Sequence, residues 1–128
     1  MPAKKYQIDY ANCLNPAQHE AVMFTDGPLL VIAGAGSGKT RTLTYRVARL
    51  VEDGIHPAAI LLLSFTRKAS QEMLRRASAL LDQRCEQVSG GTFHSFAHLM
   101  LRRYSHLLGF EQGFSIIDRA DAETLVGM

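Results

Sequence analysis

The sequence predicts an α/β fold in which a parallel sheet is flanked by helices. Three observations carry that prediction. "PLLVIAG" (28–34) and "AAILLLSF" (58–65) are short, continuous apolar runs with turn residues nearby, the pattern of strands buried on both faces of a parallel sheet. Each run is followed by a segment whose apolar residues recur every three or four positions, as on an amphipathic helix. The junction between the first run and its helix, "AGAGSGKT" (33–40), is a glycine-rich bend of the kind that brings backbone N–H groups close to an anion.

The elements follow in chain order. "LNPAQHEAV" (14–22) opens a short helix, with Asn15 as N-cap, Pro16 at the first helical position and Gln18 at the third, a capping-box-like start. After the first strand and the bend, "KTRTLTYRVARLVEDG" (39–54) puts Leu43, Val47 and Leu50 on one helix face and stops at Gly54. The second strand leads into "TRKASQEMLRRASALLDQ" (66–83), where Met73, Leu74, Ala77, Leu80 and Leu81 fall at helical spacing. "VSGGTF" (88–93) and the helical run from His94 suggest a third strand–helix unit, in which Phe96, Leu99, Met100, Arg103 and Leu107 recur and Gly109 ends the run. "FSIID" (114–118) reads as a fourth strand. "DRADAETLVGM" then begins like a helix capped by Asp118 or Asp121, yet only about two turns follow, so the chain is expected to be cut from a larger protein.

Composition fits an ordinary globular domain. The 128 residues are one domain's worth, and the 47% hydrophobic share supports a core. A formal charge of +2 is too slight to argue for a nucleic-acid or membrane partner by itself. Cys13 and Cys85 match no metal-ligand spacing and read as reduced thiols. No apolar run follows the two N-terminal lysines, and none is long enough to span a membrane, so the expectation is a soluble, cytoplasmic chain. "HSFAH" sets His94 and His98 at i and i+4 but lacks a glutamate and a third ligand, which argues against a metal site.

The bend carries the clearest chemistry. Gly34, Gly36 and Gly38 allow a tight turn whose N–H groups point inward, and the helix from Lys39 adds its positive end. Lys39 can reach β- and γ-phosphates, and the Thr40 hydroxyl is placed to ligate Mg²⁺. This is the P-loop template apart from Ala33 at its first position, and it implies a nucleoside triphosphate. Gln18 has two readings: a helix cap, or an amide that pairs with the adenine edge. At the C-terminal ends of the parallel strands, where open sheets place ligands, "SFT" (64–66) and "TFHS" (92–95) offer hydroxyls, an imidazole and two aromatic rings. Phe65 and Phe93 are either core residues or platforms on which bases of single-stranded DNA stack.

"LNPAQHEAV", "AGAGSGKT", "SFTRKAS" and "GTFHSFA", in this order, resemble the Q motif and motifs I, Ia and Ib of superfamily 1 DNA helicases, the UvrD/Rep/PcrA family. The resemblance covers roughly residues 10 to 126, and alanine at position 33 is usual in that family. It implies a truncated RecA-like P-loop NTPase sheet. Residues 1–128 would be the N-terminal part of the first ATP-binding domain, with an inserted helical subdomain starting near 119–128.

It also implies ATP and Mg²⁺ as cofactors, with Lys39 and Thr40 catalytic and Thr40 on the metal. Nucleotide would be held by Gln18, by Ala33, Gly34, Ala35, Gly36, Ser37 and Gly38, by Lys39 and Thr40, and by Arg41 against the adenine or ribose. Phe65, Thr66, Arg67, Thr92, Phe93 and His94 would line a groove for single-stranded DNA, within an enzyme that works at duplex/single-strand junctions. Arg67 stands where the family commonly has asparagine, and either adds a phosphate contact or is merely solvated. The intact protein would be an ATP-driven 3′-to-5′ helicase, and the fragment alone would be inactive.

Two other classes stay open at this point. A small P-loop kinase or transferase would use Asp118 on Mg²⁺, and a non-catalytic module would bind nucleotide or DNA without turnover.

Overall fold

The computed structural model describes residues 6–34 and 38–109. The chain divides into two units, Met1–Thr92 and Phe93–Met128, which are taken separately.

The first unit begins with a short helix, α1 (Tyr10–Cys13), and then α2 (Pro16–Met23). The start of α2 is set by the predicted reciprocal cap: the Gln18 N–H donates to Asn15 Oδ1 at 2.8 Å, and the Asn15 N–H donates to Gln18 Oε1 at 3.1 Å. Helix α3 spans Lys39–Glu52 and ends where Gly54 takes a φ of +93°, the left-handed turn that glycine adopts freely. Strand β1 (Leu61–Ser64), helix α4 (Arg67–Leu80) and strand β2 (Ser89–Thr92) form a βαβ crossover. The strands pair in parallel, with Leu61 opposite Ser89 and Ser64 opposite Thr92.

Thr66 caps α4 by accepting from the Ala69 N–H at 3.1 Å. Met73, Leu74, Ala77 and Leu81 are buried, as their spacing predicts, and Leu80 packs against them partly buried. A Cβ at Gly90 would stand 2.8 Å from Leu74 Cδ1, so the missing side chain lets α4 lie close on β2. The core joins these residues to Tyr10, Val22, Tyr45, Val47, Ala48, Val51, Leu62 and Cys85.

Two expectations are corrected. Residues 28–34 lie in no strand: the sheet among the described residues is β1 with β2, and Leu30 and Ile32 are 84% and 91% exposed. A strand exists through ladder partners, and an apolar run without a neighbouring strand has none. Helix α3 is also rotated from the predicted face. Leu43 is 42% exposed, while Thr44, Tyr45, Val47, Ala48 and Val51 are buried. Tyr45 turns that face inward because its ring packs edge-on against Tyr10, centroids 6.2 Å apart.

The C-terminal end of α3 fastens the residues before α1, a contact that spacing alone could not reveal. Glu52 accepts from the Gln7 and Ile8 N–H groups, at 2.8 and 3.2 Å, and from the Tyr10 hydroxyl at 2.9 Å. Tyr6 donates to Asp53 at 2.5 Å, and the Arg49 guanidinium lies 3.7 Å above the Tyr6 ring.

In the second unit α5 (Phe93–Tyr104) tightens into a 3₁₀ turn, Ser105–Leu108, and Gly109 closes it with a φ of +83°. The expected end at Gly109 is therefore observed. The fourth strand at 114–118 and the segment 119–128 lie outside the described residues.

Candidate functional site

The predicted phosphate end and the predicted base-reading residue are in direct contact. Gly38 is the N-cap of α3, and its carbonyl accepts from the Thr42 N–H at 3.0 Å and the Thr42 hydroxyl at 3.1 Å. The same carbonyl accepts from Gln18 Nε2 at 3.3 Å. Glycine is favoured at 38 by its φ of +87°, and a Cβ there would stand 2.5 Å from Gln18 Nε2, so any side chain would displace that amide. Lys39 and Thr40 follow, both exposed, on the first turn of a fourteen-residue helix whose leading N–H groups form its positive end. Asn15, Gln18, Ile32, Ala33, Gly34 and Lys39 line one cavity of about 290 Å³. Ala35, Gly36 and Ser37 lie outside the described residues.

The Gln18 amide spends one acceptor lone pair on Asn15 and one N–H on Gly38. A primary amide has two of each, so the capping role and a bidentate contact to a base are compatible. Arg41 is not a loose surface cation. Its Nε and Nη2 both donate to the Cys13 carbonyl, at 3.2 and 2.7 Å, and its guanidinium carbon lies 4.9 Å from the Tyr45 ring centre. Burial, followed by a hydrogen bond with Cys13, pushes the Tyr45 phenol above its ordinary range. A separate cavity of about 300 Å³ opens on Arg41, Tyr45 and Arg76, but Lys39 takes no part in its lining.

Among the described residues no group of three or more His, Cys, Asp and Glu side chains could hold a metal ion. The Thr40 hydroxyl at the helix start still suits Mg²⁺, which keeps much of its water and takes few protein ligands when phosphates supply the rest. Asp118, the alternative acidic ligand, lies outside the described residues.

The sheet brings one residue of each predicted DNA-contacting stretch, Ser64 and Thr92, to one edge. Ser64 and Thr92 are register partners at the C-terminal ends of β1 and β2, so Phe65 and Thr66 leave the sheet beside Thr92. Phe65 is 93% exposed, which removes it from the core. Thr66 uses a lone pair on the α4 cap, and Arg67 is the exposed first residue of that helix. Phe93 and His94 open α5, in the second unit.

Residues 14–128 match the UvrD/REP helicase N-terminal domain. The chain belongs to the UvrD/REP helicase family.

The match begins at Leu14, so the α2 cap, the bend, both strand ends and α5 all fall within the region matched to UvrD/REP helicases. Among curated members, the ATP-dependent DNA helicase PcrA of Bacillus subtilis (strain 168) is 46% identical over 114 residues, covering 88% of this chain and 15% of that protein. The PcrA helicase of Leuconostoc citreum is 46% identical over 117 residues, 90% of this chain and 16% of its own length. That of Staphylococcus aureus (strain Mu50 / ATCC 700699) is 43% identical over 116 residues, again 90% and 16%. The chain thus spans about a sixth of the length of these UvrD/REP relatives. Among the described residues no helix is long and apolar enough to cross a membrane.

Sequence reasoning missed Arg46, which bonds two carbonyls of the α2 region, and the Glu52 clamp. Arg46 acts on backbone carbonyls and Glu52 on two backbone amides besides the Tyr10 hydroxyl, and no side-chain pattern encodes backbone partners.

Proposed function

We propose that this chain is the ATP-gripping and single-strand-gripping part of an ATP-dependent DNA helicase that moves 3′ to 5′ and works at duplex/single-strand junctions. The observation that carries this reading is the 3.3 Å bond from Gln18 Nε2 to the Gly38 carbonyl, which joins a base-reading amide to a phosphate cradle in a UvrD/REP family member. Residues 1–128 are read as the opening part of its first RecA-like domain, with an inserted helical subdomain beginning near 119.

In this reading Ala33, Gly34, Gly38 and the start of α3 meet the phosphates. Lys39 neutralises charge on the β- and γ-phosphates, and Thr40 would ligate Mg²⁺, which offsets the charge that develops during phosphoryl transfer. Gln18 presents its remaining N–H and lone pair to adenine, and Arg41, held by the Cys13 carbonyl, offers a fixed planar face to the base. Phe65, Thr66, Arg67 and Thr92 of the first unit, and Phe93 and His94 of the second, are each assigned to single-strand contact: aromatic faces stack bases, while hydroxyls, guanidinium and imidazole meet phosphates. Hydrolysis needs an in-line water and added positive charge on the γ-phosphate, so these residues bind nucleotide without completing a catalytic site.

The test titrates ATP and GTP into the chain by ligand-observed NMR, which reads millimolar affinities, beside a phosphate-release assay with and without single-stranded DNA. Lys39→Ala should abolish binding of both nucleotides. Gln18→Ala should weaken ATP toward GTP, and an unchanged preference would remove the adenine role. No turnover is expected, and robust Lys39-dependent phosphate release would revive the small-kinase alternative.

A further inference from the structure

The proposed base contact depends on where Gln18 stands relative to Lys39, and α2 cannot fix that position alone. It is eight residues long, too short to hold together in isolation, and buries only Ala21 and Val22. Its N-terminal end is tied by the cap and by the bond to Gly38. Its C-terminal end leaves carbonyls without helical partners, as every helix does.

One atom meets that need. Arg46 Nη1 donates to the Ala21 carbonyl and to the Phe24 carbonyl, each at 2.6 Å. Ala21 lies in the last turn of α2 and Phe24 is its C-cap, so this nitrogen closes the helix end while fastening it to α3. Arg46 also stands about two turns after Lys39, and residues at i and i+7 share a helix face. Lys39, Thr42 and Arg46 accordingly line one cavity of about 290 Å³ together with Ala21. A single face of α3 therefore carries both the phosphate-gripping lysine and the arginine that holds the base-reading helix.

We propose that Arg46 is a positioning residue for base selection: its two bonds to α2 fix the register of that helix along α3 and so set the distance from the Gln18 amide to the phosphate end at Lys39. The inference rests on the nucleotide reading above. Its consequence is specific. Loss of the guanidinium frees the end of α2, so the contact to adenine weakens while the triphosphate keeps Lys39 and the start of α3. Preference for ATP over GTP falls, and affinity for GTP holds.

The experiment measures ATP and GTP affinities of the whole chain by ligand-observed NMR, with circular dichroism to verify folding. Arg46→Met keeps the apolar stem and removes the donors; the ATP-to-GTP preference should drop about two- to tenfold, the worth of a hydrogen bond, with GTP affinity unchanged. Arg46→Lys ends one bond short of Nη1 and should give an intermediate preference. Equal loss of both nucleotides, or a wild-type preference in folded Arg46→Met, overturns the proposal. Should Arg46→Met fail to fold, the lysine variant decides, and a wild-type preference there overturns it as well. The underlying reading is tested separately by wild-type protein beside Lys39→Ala and Gln18→Ala. Absence of Lys39-dependent binding refutes that reading and this inference together, whereas a Gln18-dependent preference that ignores Arg46 refutes the inference alone.

Discussion

Tyr10 illustrates how one residue can be well buried and still depend on charge. Its ring sits in the core while its hydroxyl donates to Glu52 at 2.9 Å. Burial first, and then Glu52, raise its pKa far above the ordinary phenol value. Tyr6 shifts in the same direction, chiefly through its bond to Asp53. Because the folded value lies above the unfolded one, the stabilisation is fully present below about pH 10 and is lost as pH rises toward the folded pKa. Urea unfolding of wild type should therefore show a falling midpoint above about pH 10. Tyr10→Phe should lose about 1.5–3 kcal/mol near neutrality, the usual worth of a bond to a charged group, and show a shallower alkaline decline. An identical alkaline slope in the variant would mean that Tyr10 is not the titrating group. Nothing in the sequence pairs Tyr10 with Glu52, since they lie 42 positions apart. Gly38 and Asn15 differ: their roles follow from local backbone requirements, a left-handed φ and a helix cap, and were legible from neighbouring residues alone.

The start of α4 sets a capping residue, Thr66, beside an exposed aromatic one, Phe65. Thr66 caps the helix, whereas Phe65 beside it is 93% exposed. Thr66→Ala should cost about 1 kcal/mol of stability, the usual value of a cap. Phe65→Ala should change stability by less than about 0.5 kcal/mol, as exposed substitutions do. It should nevertheless weaken single-stranded DNA binding by about 1–3 kcal/mol if the ring is a stacking platform. Thermal melts paired with fluorescence anisotropy on an oligonucleotide would check both, and unchanged DNA affinity in Phe65→Ala would remove it from the groove. The buried face of α4 was readable because Met73, Leu74, Ala77 and Leu81 are apolar and evenly spaced. The face of α3 was not, because Thr42, Thr44 and Tyr45 go inward while Leu43 stays out. Thr42 and Thr44 satisfy their hydroxyls on the carbonyls of Gly38 and Thr40, which makes polar residues acceptable inside.

At the scale of the whole molecule, the sheet is where pairing and apolar content part company. Strands β1 and β2 pair in a parallel ladder although β2 is Ser-Gly-Gly-Thr, while the far more apolar residues 28–34 lie in no strand. Hydrogen exchange should accordingly be slow at Leu62, whose N–H faces β2, and fast across Leu29 to Ile32, with comparable protection at both overturning that contrast. The sequence by itself determined the helix starts and stops, the βαβ unit and family membership, because caps, glycine turns and spacing act over a few residues. Tertiary structure alone decided which face of α3 is buried, that Gln18 reaches the Gly38 carbonyl, that Arg46 grips α2, and that the strand-like run 28–34 lies outside the sheet seen among the described residues. Those outcomes rest on which distant backbone atoms come within hydrogen-bonding distance, and such atoms are the same at every position of the chain.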